Sequence, residues 1–91
     1  MGSKFPMGQV VATPGALNAL SRTAQSPLTL LDRHAHGDWG ELSEADRQEN
    51  EFSLREGFRL LSAYRLTDGT KIWIITEADR SATTILLPEE Y

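Results

Sequence analysis

The chain has 91 residues, no cysteine, and thirteen acidic against nine basic side chains, for a formal net charge of −4. That length is one domain, able to bury a modest core without a disulfide or metal staple. The lack of cysteine excludes thiol nucleophiles, disulfides and Cys-ligated zinc or iron–sulfur centres. No apolar run nears the ~20 residues that a membrane span needs, the N-terminus lacks the layout of a secretory signal, and no basic run marks a nucleic-acid face. A cytoplasmic protein without membrane contact is expected, and nucleic acid is disfavoured as a partner.

Met1-Gly2-Ser3-Lys4 is small and polar, as vector-derived residues are, and residues 1–7 are set outside the fold as a flexible or vector-derived N-terminus. A single α+β domain is expected over 8–91. Val10-Val11 within Gln9 to Ala12 is enough for one short strand at the edge of a sheet. Thr13-Pro14 reads as a helix start, a capping hydroxyl followed by proline at the first helical position. Leu17, Leu20 and Ala24 follow at helical spacing. Ser26-Pro27 repeats that punctuation and predicts a second helix to about His36, stopped by Gly37. Its expected stripe is Leu28, Leu31 and Ala35, widened by Leu30. After the loop Gly37-Asp38-Trp39-Gly40, Ser43 opens a third, very polar helix ending before Gly57, held down by Leu42, Ala45, Phe52 and Leu54.

Beyond Gly57 the period changes. Phe58 to Leu66 and Lys71 to Thr76 are rich in β-branched and aromatic residues and predict strands. Asp68-Gly69 between them is a hairpin signal, since both residues tolerate positive φ. Glu77 to Ala82 is a polar turn, and Thr83 to Leu87 a third strand stopped by Pro88. The predicted architecture is two or three helices and a short N-terminal strand packed on a C-terminal three-stranded antiparallel meander.

A two-residue loop at Asp68-Gly69 sets Tyr64 opposite Trp73, Ser62 opposite Ile75 and Leu66 opposite Lys71. Arg59, Leu61, Ala63 and Arg65 then share the other face with Ile72 and Ile74. Neither face is clearly polar, whereas a half-solvated sheet alternates cleanly. Three readings follow: helices covering parts of both faces, a homodimer or partner interface on one face, or a small groove lined by Tyr64 and Trp73.

Asp32-Arg33-His34-Ala35-His36-Gly37-Asp38 is the string with metal-ligand character, because imidazole and carboxylate suit a tetrahedral zinc shell. It resembles the JAMM-type metalloprotease signature, with Ser43-Glu44-Ala45-Asp46 in the place of its Ser-x-x-Asp. The spacer is one residue short and no glutamate precedes Glu41. At a helix end His34 and His36 point apart, where histidines more often answer the helix dipole. No metal and no cofactor are expected, and a hydrolase using His34 and His36 is the least favoured reading. The serines lie mostly at caps and turns without a nucleophile elbow. The carboxylate pairs Glu49/Glu51, Glu77/Asp79 and Glu89/Glu90 read as solvated acids, and no glycine-rich phosphate loop is present. Glu77, Asp79 and Arg80 occupy a loop between two strands, where recognition residues are displayed from a rigid base.

Ala12 to Leu17, Gly37 to Gly40, Asn50 to Gly57 and Asp68 to Ser81 together resemble a family of small bacterial proteins of plasmids and integrative elements, usually labelled plasmid-related, some of them a type I restriction subunit. The resemblance spans nearly the whole chain after Met7 and implies no catalytic residues. A methyltransferase subunit would need a cofactor domain for which this chain is too short. The expected function is therefore a non-enzymatic accessory module of a mobile element, acting through protein contacts. Tyr64, Trp73, Glu77, Asp79 and Arg80 form its expected surface, and Trp39 a second anchor. The alternative is a nucleic-acid-related or anti-restriction inhibitor, with bases stacking on Tyr64 and Trp73.

Overall fold

The computed structural model describes residues 2–91. The chain runs β1 (Gln9–Ala12), α1 (Pro14–Arg22), α2 (Pro27–Ala35), α3 (Glu44–Glu56), β2 (Leu60–Arg65), β3 (Lys71–Thr76), β4 (Ala82–Leu86) and a short 3-10 turn, Pro88–Glu90. It is an α+β fold of three helices and a four-stranded mixed sheet in the order β1-β4-β3-β2. The C-terminal meander is antiparallel as expected, but β1 joins it as a fourth strand lying parallel to β4.

The helix starts follow from local chemistry. The hydroxyls of Thr13, Ser26 and Ser43 accept from the N–H groups of Ala16, Leu28 and Asp46 at 3.2, 3.2 and 3.1 Å, each satisfying a donor that has no partner inside its helix. Gly57 closes α3 in the left-handed conformation. The buried stripes differ from those expected. α1 turns Ala16, Ala19 and Leu20 to the core and leaves Leu17 exposed, because two alanines let the helix approach the sheet more closely. α2 buries Leu30, Leu31, His34 and Ala35 and exposes Leu28. The missing member of its stripe is a polar residue. On α3 the buried side chains are Asn50 and Ser53, while Phe52 lies exposed and stacks on Phe58.

The hairpin corrects the expected register. The N–H of Gly69 donates to the Leu66 carbonyl at 2.9 Å and that of Leu66 to the Thr70 carbonyl at 2.8 Å, and Gly69 has φ +91°. This is a three-residue loop, a tight turn over Thr67-Asp68 followed by a left-handed glycine. One more loop residue shifts the pairing by one, so Ala63 faces Trp73, Tyr64 faces Ile72 and Ser62 faces Ile74. Because side chains alternate, Tyr64 and Trp73 stand on opposite faces. The core face carries the even-numbered residues of β2 and β3 and the odd-numbered residues of β4. Leu60, Tyr64, Leu66, Ile72, Ile74 and Ile85 pack there, mostly against α1 and α2. Phe5, Trp39 and Leu60 form a second cluster joined by Met7, Leu42 and Leu54. Phe5 and Met7, set outside the fold by the sequence reading, thus pack into it.

The outer edge of β2 is covered. Asn50 presents its side-chain amide to the backbone of Leu61, accepting from its N–H at 3.2 Å and donating to its carbonyl at 2.5 Å. Two residues on, Ala63 donates to the Trp39 carbonyl at 3.0 Å and accepts from Glu41 N–H at 2.7 Å. Such cover removes a pairing template. It needs Gly40 at φ +76°, where an added Cβ would overlap the Ala63 carbonyl and press on the Tyr64 ring. Gly40→Ala is expected to lower urea-unfolding stability by about 3 kcal/mol or more, since overlap adds to the left-handed penalty. Gly69→Ala, with open space around it, should cost only about 1–2 kcal/mol.

Candidate functional site

The opposite face of the sheet, with the odd-numbered residues of β2 and β3 and the even-numbered ones of β4, is the less covered one: Leu61, Trp73 and Thr84 are partly buried there, and Ile75 and Leu86 form a buried floor. Across the strands, Leu61 lies beside Ile75 and Ile75 beside Thr84, while Ala63 lies beside Trp73 and Trp73 beside Leu86. After β4 the chain turns at Pro88 and sets Tyr91 against Trp73, ring centres 5.9 Å apart and edge to face. The Arg59 guanidinium lies 5.6 Å from the Tyr91 ring centre, within cation–π range. Two adjoining depressions of about 260 and 200 Å³ open here, sharing Arg59, Ile75 and Tyr91. The first is floored by Leu60 and Leu61 and walled by Trp73; the second reaches Glu77 and Glu90.

Glu90 holds the Tyr91 segment in place. Its carboxylate accepts from the Thr13 hydroxyl at 2.5 Å and from the Leu87 N–H at 2.8 Å. The Thr13 hydrogen bond holds its pKa below the usual carboxylate value. The charge sits at the start of α1, where a helix favours an anion, in room left by Gly15.

The expected site residues are thus dispersed. Trp73 and Glu77 line the open cleft, but Tyr64 does not join them. Tyr64 is 2 % exposed, its hydroxyl donates to the Asp38 carbonyl at 2.6 Å, and burial pushes its pKa up to about 12. Trp39 is no surface anchor either. It is 2 % exposed, packs on Phe5 and His34, and donates its indole N–H to Glu51 at 2.9 Å. Arg80, with φ +60°, turns back to donate to the carbonyls of Phe58, Glu77, Ala78 and Ser53. It clamps the end of α3 to the β3–β4 turn. Asp79 accepts from Ser81 N–H at 3.0 Å and closes that turn. The cleft residues overlooked in the sequence are Arg59, Leu61, Ile75, Leu86 and Tyr91; the signal for the strand members was alternation along each strand, hidden by the register, and Tyr91 gave none.

His34 is wholly buried, with both ring nitrogens engaged. Nδ1 lies 2.5 Å from the Ser62 hydroxyl and Nε2 2.9 Å from the Thr76 hydroxyl. Thr76 and Thr83 hydroxyls are 2.7 Å apart, and Thr83 donates to the Met7 carbonyl at 2.8 Å. A carbonyl only accepts, so the direction of the chain is set. Thr83 spends its proton on Met7, Thr76 donates to Thr83, Nε2–H donates to Thr76, and bare Nδ1 accepts from Ser62. The Ser62–His34 pair has the parts of a nucleophilic dyad, but both residues are 0 % exposed, so no substrate reaches them. His36 lies on the surface beside Asp32, and among the described residues no group of three or more His, Cys, Asp or Glu is placed to hold a metal.

Comparison of the chain with family models, curated proteins and solved structures finds no match.

Burial, with a smaller contribution from the Arg80 charge, lowers the His34 pKa from 6.5 to about 4. Between those values the unfolded chain binds the imidazole proton and the native protein does not. His34 therefore contributes its full stability above pH 6.5 and loses it as pH falls toward 4, a change of about 3 kcal/mol. Urea midpoints measured across this range should fall on acidification, and His34→Gln should remove one proton from the slope. Equal slopes in both proteins would refute the assignment.

Proposed function

We propose that this protein is a small non-enzymatic interaction module, an accessory factor of a mobile element, that binds a protein partner through the sheet face that carries Trp73. The observation carrying this reading is the open cleft over Leu61, Ile75 and Leu86, walled by Trp73, Tyr91 and Arg59. An aliphatic floor with aromatic and arginine walls is the composition of interface anchors. Among the described residues Arg59 forms no ion pair, so an apolar segment carrying an acid suits the Arg59 end of the cleft, away from Glu77 and Glu90. The resemblance to plasmid-borne proteins supports the accessory role, and the inaccessibility of the Ser62–His34 pair supports a binding rather than a catalytic one. The cytoplasm is the setting such a partner implies.

The corrected register favours a second reading to one degree. Arg65 and Lys71 now share a face with Trp73 and Arg59 lines the same cleft, as a platform for single-stranded nucleic acid or an anti-restriction role would need. Against it, the cleft floor is aliphatic, Glu77 and Glu90 line the same face, and the chain carries a net charge of −4. Protein is the better fit.

A photo-crosslinking side chain at Thr84, inside the cleft, should give a discrete protein adduct in the native host, and one at Glu49 on α3 should not. Trp73→Asp should abolish the Thr84 adduct while the protein keeps a cooperative urea-unfolding transition, at a cost of about 1–3 kcal/mol for a partly buried position. Sedimentation of the purified protein separates a second copy from a different partner. Adducts equal at both positions, or a salt-sensitive shift with single-stranded DNA that Trp73→Asp removes, would overturn the reading.

A further inference from the structure

On the outer side of β2 a different site is built. Arg33 from α2, Arg47 from α3 and Arg65 from the end of β2 converge on a pocket of about 340 Å³ whose wall includes Gly40 and Tyr64. Each guanidinium is held by the protein before any ligand arrives. Arg33 forks onto Asp38 at 2.7 and 3.3 Å and lies 4.6 Å from the Tyr64 ring centre. Arg47 donates to the carbonyls of Leu42 and Gly40. Arg65 donates to Glu41 and to the Gly69 carbonyl, both at 3.3 Å.

A guanidinium carries five N–H donors, and these contacts engage only two nitrogens of each. Asp38 and Glu41 are the carboxylates of the lining, so three cations meet two anions and one positive charge is in excess. Arg47 supplies that excess, since its partners are carbonyls. In a chain of net charge −4, a pocket of net positive charge built from three separate elements is a local reversal of sign.

We propose that this pocket binds the phosphate group of a small phosphorylated ligand. A planar carboxylate is satisfied by one guanidinium fork, whereas a phosphoryl group offers oxygens in several directions and suits donors arriving from three sides. The cavity is larger than the anion alone and falls in the size range of small-molecule sites. The body of the ligand is polar and compact. The ring face of Tyr64 is occupied by Arg33, and the other uncharged lining residues, Gly40 and Ala63, offer no surface on which a base would stack. A sugar phosphate has this chemistry.

Titration calorimetry of the full chain at low salt tests the proposal, with ribose 5-phosphate as probe, inorganic phosphate as competitor and ribose as control. Saturable one-site binding is expected for ribose 5-phosphate, competed by phosphate and absent for ribose. Arg47→Ala and Arg65→Ala should each weaken binding about tenfold or more, the scale of one charged hydrogen bond. Arg65 is half-exposed, so its replacement keeps the test valid where loss of Arg47 unsettles the Gly40 loop. Arg59→Ala, on the open sheet face, should leave the affinity unchanged. Absence of saturable binding by either phosphate probe, or equal affinities in the Arg65→Ala and Arg59→Ala proteins, would overturn the assignment.

Discussion

The fold depends on a neutral imidazole. His34 comes from α2, its acceptor nitrogen is tied to Ser62 on β2 and its donor nitrogen to Thr76 on β3, and the chain continues through Thr83 on β4 to the carbonyl of Met7. Three strands, one helix and the N-terminal segment are thus joined by one line of hydrogen bonds with no exposed member among the side chains. Buried polar groups are costly when unpaired and specific when satisfied. Here no buried side-chain nitrogen or oxygen among the described residues lacks a partner. The arrangement permits one rotation of α2 about its axis, since any other would leave Ser62 and Thr76 unsatisfied beneath an apolar helix.

That constraint decides which face of the sheet is core. With α2 pinned over Ser62 and Thr76, the face carrying Tyr64, Ile74 and Ile85 meets the helices and the face carrying Trp73, Ile75 and Leu86 is left to the Tyr91 segment. The two ends of the sheet are treated differently. The outer edge of β2 is closed by Asn50 and by the strand-like passage of Trp39 to Glu41, whereas β1 forms the other edge with both valines 43 % exposed. β1 has four residues, and shortness itself limits an edge as a template for pairing.

Arginine serves three separate purposes in this chain. Arg80 is spent on backbone carbonyls and holds a turn to a helix end. Arg59 covers an aromatic ring at the rim of an apolar cleft. Arg33, Arg47 and Arg65 surround a polar pocket with part of their donor capacity unused. The two depressions on the Trp73 face suit apolar matter and the pocket beside β2 suits an anion, so the proposed protein contact and the proposed phosphate site do not compete for the same residues.

The local signals were legible in the sequence. Thr13-Pro14, Ser26-Pro27 and Ser43 start their helices because capping and proline placement act within one turn of chain. Gly57 ends α3 and Asp68-Gly69 makes a turn for the same kind of reason. Most of the candidate site was not legible. Tyr64 and Trp73 were paired on one face by counting a two-residue loop, and the three-residue turn separates them; a tripeptide such as Thr67-Asp68-Gly69 allows either length, and only the packing of Ser62 and Tyr64 under the helices selects one. Trp39 and Arg80 looked displayed because their neighbours are polar, yet each is drawn inward by a partner distant in sequence, Phe5 and Glu51 for the tryptophan, the carbonyls of Ser53 and Phe58 for the arginine.

What the sequence alone determined is therefore the α+β class, the three helix starts and the existence of the hairpin. Each rests on interactions between residues a few positions apart, whose energies do not depend on the rest of the fold. The parallel placement of β1, the register of the hairpin, the burial of His34 and the convergence of three arginines were decided by tertiary structure alone. They depend on contacts between distant segments, and in an alternating sheet a difference of one residue carries every side chain to the other face.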